Sequence, residues 1–252
     1  MLDQLLLFLV GLVSNIFSSL SGGGTGLLQL PAIIWLGLPF TMALATHKVT
    51  TVAMGAGAAF YAIKNKGLNR SLVIRLLIIG LPGVLLGAHL VLFIPERIGL
   101  LVLGILNICL SFFSIMNKNL GHQCTEIKVL TFNAHLIGGS VLFLIAIING
   151  SLTSGSGLMV TLWLVVWYGL DYRRAIQHML VIVGIFWNAI GATSLALNGE
   201  VNWLWVTILF PAALIGSWVG VYLGSKIDNR YIKRLFEIVA ILAGIQLISQ
   251  AI

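Results

Sequence analysis

Ten apolar runs, separated by glycine, proline or charged residues, account for nearly all of the 252-residue chain. Read against those breakers, they predict helices at about 3–20, 27–38, 41–63, 71–94, 97–116, 129–149, 157–169, 174–197, 203–225 and 231–251. A bilayer crossing needs about 20 residues, so the segments at 27–38 and 157–169 are too short to span. Each follows a run of small residues, Ser19 to Gly26 in the first case and Ser151 to Gly157 in the second. Glycine inside a helix costs roughly 1 kcal/mol against alanine, and hydrocarbon cannot satisfy a freed backbone group. Both breaks must therefore face protein or water. The one long polar stretch, Asn117 to Lys128, divides the chain into a first membrane repeat (1–117), a connector (118–128) and a second membrane repeat (129–252).

Composition settles the class. The chain is 59% hydrophobic and 8% charged, where a soluble domain carries about 25% charge, and its mean hydropathy is +1.07. These values describe an integral, multi-pass membrane protein. The net charge of +7 comes from basic residues gathered in short loops, the pattern of the positive-inside rule, so nucleic acid is not expected as a partner. Cys109 and Cys124 have no metal-ligand or redox spacing, and neither a metal nor a cofactor is expected. The first apolar run lacks the basic start of a signal peptide, Asp3 being its only early charge, and is expected to belong to the mature protein.

The two halves repeat one another. Ser19 to Leu27 answers Ser151 to Leu158, Gly37-Leu38 answers Gly169-Leu170, Ala43-Leu44 answers Ala175-Ile176, and Pro82 with Gly87 answers Pro211 with Gly216. Charge orients the copies. Lys64, Lys66, Arg70 and Arg75 mark one cytoplasmic loop, and Lys226, Arg230, Lys233 and Arg234 another, whereas Asn198 to Asn202 has no basic residue and belongs outside. Counting crossings from these loops puts Arg173, Arg174 and the connector inside. The first two segments of each half then start and finish on one side. The expected fold is an all-α polytopic membrane protein of two inverted repeats, each a glycine-broken re-entrant helical hairpin plus three transmembrane helices. Inverted repeats with broken helices near the midplane are the architecture of secondary transporters.

A helix that begins inside the membrane presents free N–H groups and the positive end of its dipole at its first turn. Glycines let a ligand approach that backbone closely, and the ligand so favoured is an anion. The expected binding residues are Gly22, Gly23, Gly24, Thr25 and Gly26 in the first break and Ser154, Gly155, Ser156 and Gly157 in the second. Ser21 and Thr153 either add hydroxyl donors or cap the backbone. Lys48 is either the counter-charge of the anion or a lysine that snorkels to the outer surface. His47 and His178 are candidates for proton-linked groups, against a plain hydrogen-bonded packing role. Asn188 reads as interhelical glue.

The glycine-rich break, the Gly37-Leu38-Pro39 or Gly169-Leu170-Asp171 step, the following helix and the later Pro-x-x-x-x-Gly helix, all present twice, resemble the TauE/SafE family of membrane transporters. The resemblance covers essentially the whole chain. It implies export or permeation of sulfite, organosulfonates or related sulfur-containing anions, with a non-enzymatic role. The second break departs from a glycine triplet, which widens its hydroxyl contribution. The expected partners are the small anion and the lipid bilayer of a cell inner membrane, with a homo-oligomer left open. Two other classes compete. A non-transporting membrane scaffold would show no substrate-dependent flux, and an intramembrane serine protease would pair Ser154 or Ser156 with His178. Leu152 stands where the protease pattern needs glycine, and no phosphate-binding loop supports nucleotide-driven transport.

Overall fold

A computed structural model describes residues 2–23, 25–64, 68–90, 96–117, 131–153, 155–198 and 201–252. Among them the regular elements are all helical: α1 (Leu2–Ser21), α2 (Thr25–Trp35), α3 (Phe40–Lys64), α4 (Arg70–Leu90), α5 (Glu96–Met116), α6 (Phe132–Leu152), α7 (Ser156–Tyr168), α8 (Tyr172–Met179), a π-helical segment (Leu180–Trp187), α9 (Asn188–Asn198), α10 (Trp203–Lys226) and α11 (Asn229–Ala251). Each segment expected from the apolar runs is present, with ends shifted by a few residues. The connector 118–128 lies outside the described residues.

Among the described residues, five helical stretches are long and apolar enough to cross a membrane: α1, α4, α6, the continuous run from α8 to α9, and α10. Their outer faces are apolar, with Leu9, Ile78, Leu144 and Ile215 exposed, as a hydrocarbon solvent requires. At 25 residues α3 is also of spanning length, yet it carries buried Thr46, His47, Lys48, Thr50 and Thr51. That polarity is tolerated because α10, α9 and the π segment surround it. The short helices stay short: α2 has 11 residues and α7 has 13, or about 16 and 20 Å of rise. The arms of each hairpin are thus unequal, because α1 has 20 residues and α6 has 21.

Packing between the halves is reciprocal. Helix α1 runs beside α10, and α6 runs beside α4. Small residues form both seams: a Cβ added at Gly216 would lie 2.6 Å from the Leu12 carbonyl oxygen, and Gly87 abuts the carbonyl of Ile147 in the same manner. The partners α5 and α11 meet at Gly104 and Gly244, where an added Cβ on either would come within 2.8 Å of the other's carbonyl. Gly87→Val and Gly216→Val are each expected to cost about 1–3 kcal/mol by overpacking. Thermal unfolding of the purified variants checks this, and a loss confined to one of them would mean that the seams are not equivalent.

Basic segments gather at one end of the molecule. The Arg173 guanidinium donates to the Ile227 carbonyl at 2.6 Å, its backbone N–H donates to Asn229 Oδ1, and the Asn69 N–H donates to His178 Nε2 at 3.0 Å. At the other end the Asn202 N–H donates to Thr46 Oγ1 at 3.0 Å. One residue counted with the loop charges is placed differently. Lys233 is buried, 3.1 Å from Glu237 Oε1 and donating to the Ser114 carbonyl at 2.8 Å, because position 233 falls on the inward face of α11.

Candidate functional site

The first break ends α1 by leaving helical dihedrals at Gly22 and Gly23, the latter at φ +146°. The Ser21 hydroxyl, 2.8 Å from the carbonyls of both Phe17 and Gly23, closes that helix end. Helix α2 then starts at Thr25, whose Oγ1 lies 3.0 Å from Met54 Sδ. The second break turns at Thr153, a non-glycine residue at φ 61°, and at Gly155, φ 77°. Backbone strain of the Thr153 kind costs about 1–3 kcal/mol and persists where surrounding structure fixes it. Here the Thr153 hydroxyl donates to the Asn149 carbonyl at 3.2 Å, and its own carbonyl accepts from Ser156 Oγ at 2.6 Å. Asn149 Nδ2 in turn donates to Ser156 Oγ at 2.8 Å.

The two breaks touch. A Cβ added at Gly23 would lie 2.6 Å from the Leu158 nitrogen and 2.9 Å from the Gly157 carbonyl carbon, so only glycine permits the approach. Thr161 Oγ1 ties the contact by donating to the Gly22 carbonyl at 2.6 Å. Around this junction lies a cavity of about 30 Å³, room for about two water molecules. Its wall takes Ser18, Gly23, Thr25 and Gly26 from the first hairpin and Asn149, Thr153, Gly155, Ser156 and Gly157 from the second. Helix α3 adds His47, Thr51 and Met54, while Met179, Val183 and Asn188 close it from the α8–α9 run. Among the described residues no Asp, Glu, Lys or Arg lines it. The first residues of α2 and α7, at the positive ends of those helices, form part of its wall.

The structure brings together Gly23, Thr25, Gly26, Gly155, Ser156, Gly157 and His47 from the expected set. Gly22 serves the contact through its carbonyl, and Gly24 and Ser154 lie outside the described residues. Lys48 is fully buried and does not snorkel: its Nζ donates to the Asn149 carbonyl at 3.0 Å, and its stem runs against Gly191. It reaches the site through Asn149 rather than by lining it. His178 is placed away from the cavity. Its Nδ1 donates to the Arg174 carbonyl one turn back in α8 at 2.7 Å, and its Nε2 accepts from the Asn69 N–H, which ties α8 to the start of α4. Among the described residues it makes no bond to Ser156.

Three asparagines escape sequence reasoning as site residues. Asn149 and Asn188 line the cavity, and Asn107 of α5 is buried directly against Gly155 with both amide atoms unpartnered. Their signal was an amide in an apolar helix facing a glycine break. The π segment is the other unforeseen element. It sets Val183 at the cavity wall and offers its carbonyl to Asn188 Nδ2 at 2.8 Å, and π-helical turns of this kind recur at functional sites.

Spanning helices wrapped around a polar, glycine-walled cavity define a multi-pass helical membrane protein. From residue 7 to residue 247 the chain matches the family described as Sulfite exporter TauE/SafE, and it belongs to that family of membrane transporters. It is 25% identical to the Probable membrane transporter protein YfcA of Escherichia coli K12, over 88% of this chain and 79% of the relative. It is 24% identical to a Probable membrane transporter protein of Haemophilus influenzae, over 85% and 82% of the two chains. With the Probable membrane transporter protein YunE of Bacillus subtilis it shares 23% identity over 98% of each. No solved structure matches the chain significantly.

Proposed function

We propose that the protein is a secondary transporter, an exporter or permease of the cell inner membrane, for a small sulfur-containing anion such as sulfite or an organosulfonate. The anion is held between the first turns of α2 and α7. The observation that carries this reading is the backbone contact of Gly23 with Gly157 and Leu158, which aims two helix starts at one cavity. The sulfur chemistry rests on the family description. Alternating access follows from an inverted repeat, for which the reciprocal seams α1–α10 and α6–α4 speak, together with the self-paired contacts of α5 with α11 and of α3 with the π segment. The end that gathers Arg70, Arg173 and Arg230 faces the cytoplasm under the positive-inside rule.

Flux of labelled sulfite into proteoliposomes of the purified protein, with thiosulfate, sulfate and methanesulfonate as competitors, tests the proposal. Saturable uptake, abolished by at least one sulfur-containing competitor, is the expected result. Flux equal to that of protein-free vesicles for sulfite, and no binding of any of these anions, would leave a membrane scaffold as the better account.

A further inference from the structure

The cavity contains more than helix starts. Asn149 Oδ1, Asn188 Oδ1 and His47 Nδ1 are buried without a partner, and all three residues line it. Their parent side chains are at most 1% exposed. The chemistry of these atoms is fixed by their neighbours. Asn188 must point its NH₂ at the Val183 carbonyl, which can only accept. The Ser156 hydroxyl spends its hydrogen on the Thr153 carbonyl, so the Asn149 group facing it must also be the NH₂. Likewise the Thr51 hydroxyl donates to the His47 carbonyl at 2.7 Å. With its hydrogen on that shorter bond, its oxygen is left to accept from His47 Nε2 at 3.4 Å, the tautomer in which Nδ1 is bare. Three unpartnered acceptors, with no side-chain donor among them, thus belong to side chains that wall a space of about 30 Å³.

A bare oxyanion answers only half of this wall. Its oxygens suit the first-turn amides of α2 and α7, but against the three acceptors they set lone pair on lone pair. A buried acceptor left unpaired is costly, and a site built to meet a donor discriminates strongly against analogues that lack one. The charge nearby is also single: Lys48, bonded to the Asn149 carbonyl, has no carboxylate within 4 Å among the described residues. Resting on the anion reading above, we infer that the substrate binds as a monoanion that carries its own O–H or N–H donor, as hydrogensulfite and sulfamate do, each donor hydrogen being received by one of the acceptors on Asn149, Asn188 and His47. Bare dianions are excluded by the same three atoms.

Sulfamate and methanesulfonate make a near-isosteric pair of monoanions, differing by an NH₂ in place of a CH₃. Their affinities for the purified full-length protein, measured by titration calorimetry at one fixed pH without sodium, test the inference. Sulfamate is expected to bind at least about tenfold more tightly, the size of one unpaired buried acceptor. In Asn188→Leu the ratio of sulfamate to methanesulfonate affinity is expected to shrink, and a ratio equal to that of the wild type would overturn the role given to Asn188. Equal affinities in the wild-type protein would overturn the inference, with the acceptors then served by water, yet would leave the anion reading standing. Methanesulfonate binding that sodium raises to the sulfamate level would also overturn it, assigning the acceptors to a cation. Binding of neither sulfonate, together with no binding of sulfite, would remove the anion reading itself.

Discussion

Gly23→Ala is expected to lower flux at least about tenfold while the protein still inserts and purifies, because one methyl group must part the two breaks. At 2.6 Å from the Leu158 nitrogen the new Cβ would be well inside ordinary contact, and its neighbours are backbone, which cannot rotate away. Overpacking of this kind costs about 1–3 kcal/mol, and here it is concentrated on the junction that aligns α2 with α7. Gly155→Ala acts on the same junction from the other side, against the buried Asn107 amide. Gly37→Ala is the control. It too has a positive φ, but an added Cβ there meets nothing within 4 Å. Sulfite flux in proteoliposomes should therefore be lost in the Gly23 variant and largely kept in the Gly37 variant. Equal flux in both would show that the contact of the breaks has no bearing on transport.

Helix positions were legible because apolar runs bounded by breakers are long and few, and the shortness of α2 and α7 followed from counting. The meeting of the breaks was legible as well, since matched small-residue runs ahead of short helices leave few other uses for them. The π segment was not, because Leu180 to Trp187 is almost uniformly apolar and has no periodicity from which a helix type could be read. Nor were the asparagines, because an amide that glues helices and an amide that faces a ligand look alike until its partners are known. His178 shows the same limit: its partner Asn69 is 109 residues away in sequence, a distance no local pattern spans. Lys48 turned on its neighbours too, for snorkelling or burial depends on whether Gly191 and Asn149 receive the side chain.

Lys48 is also where stability and transport are expected to part. A buried cation without a carboxylate partner carries a desolvation penalty of several kcal/mol, and replacing such a charge with an apolar group of similar shape is often neutral or stabilising. Lys48→Met keeps the unbranched stem against Gly191 and removes the charge, and the Asn149 carbonyl keeps its bond from Thr153. The melting midpoint of this variant should thus equal or exceed that of the wild type. Anion affinity should nevertheless fall by more than the roughly 0–1 kcal/mol of a surface pair, because the lost charge is fully buried and acted on the cavity through Asn149. Lys48→Arg is expected to do no better. A Cβ at Gly191 would already lie 3.0 Å from Nζ, so the wider, planar guanidinium has no room on that side and cannot reproduce the bond to Asn149. Thermal melts and anion titration on the same preparations separate the two possibilities. A lower midpoint with unchanged affinity in Lys48→Met would make the lysine a structural strut, whereas a preserved midpoint with weakened binding makes it the counter-charge of the transported anion.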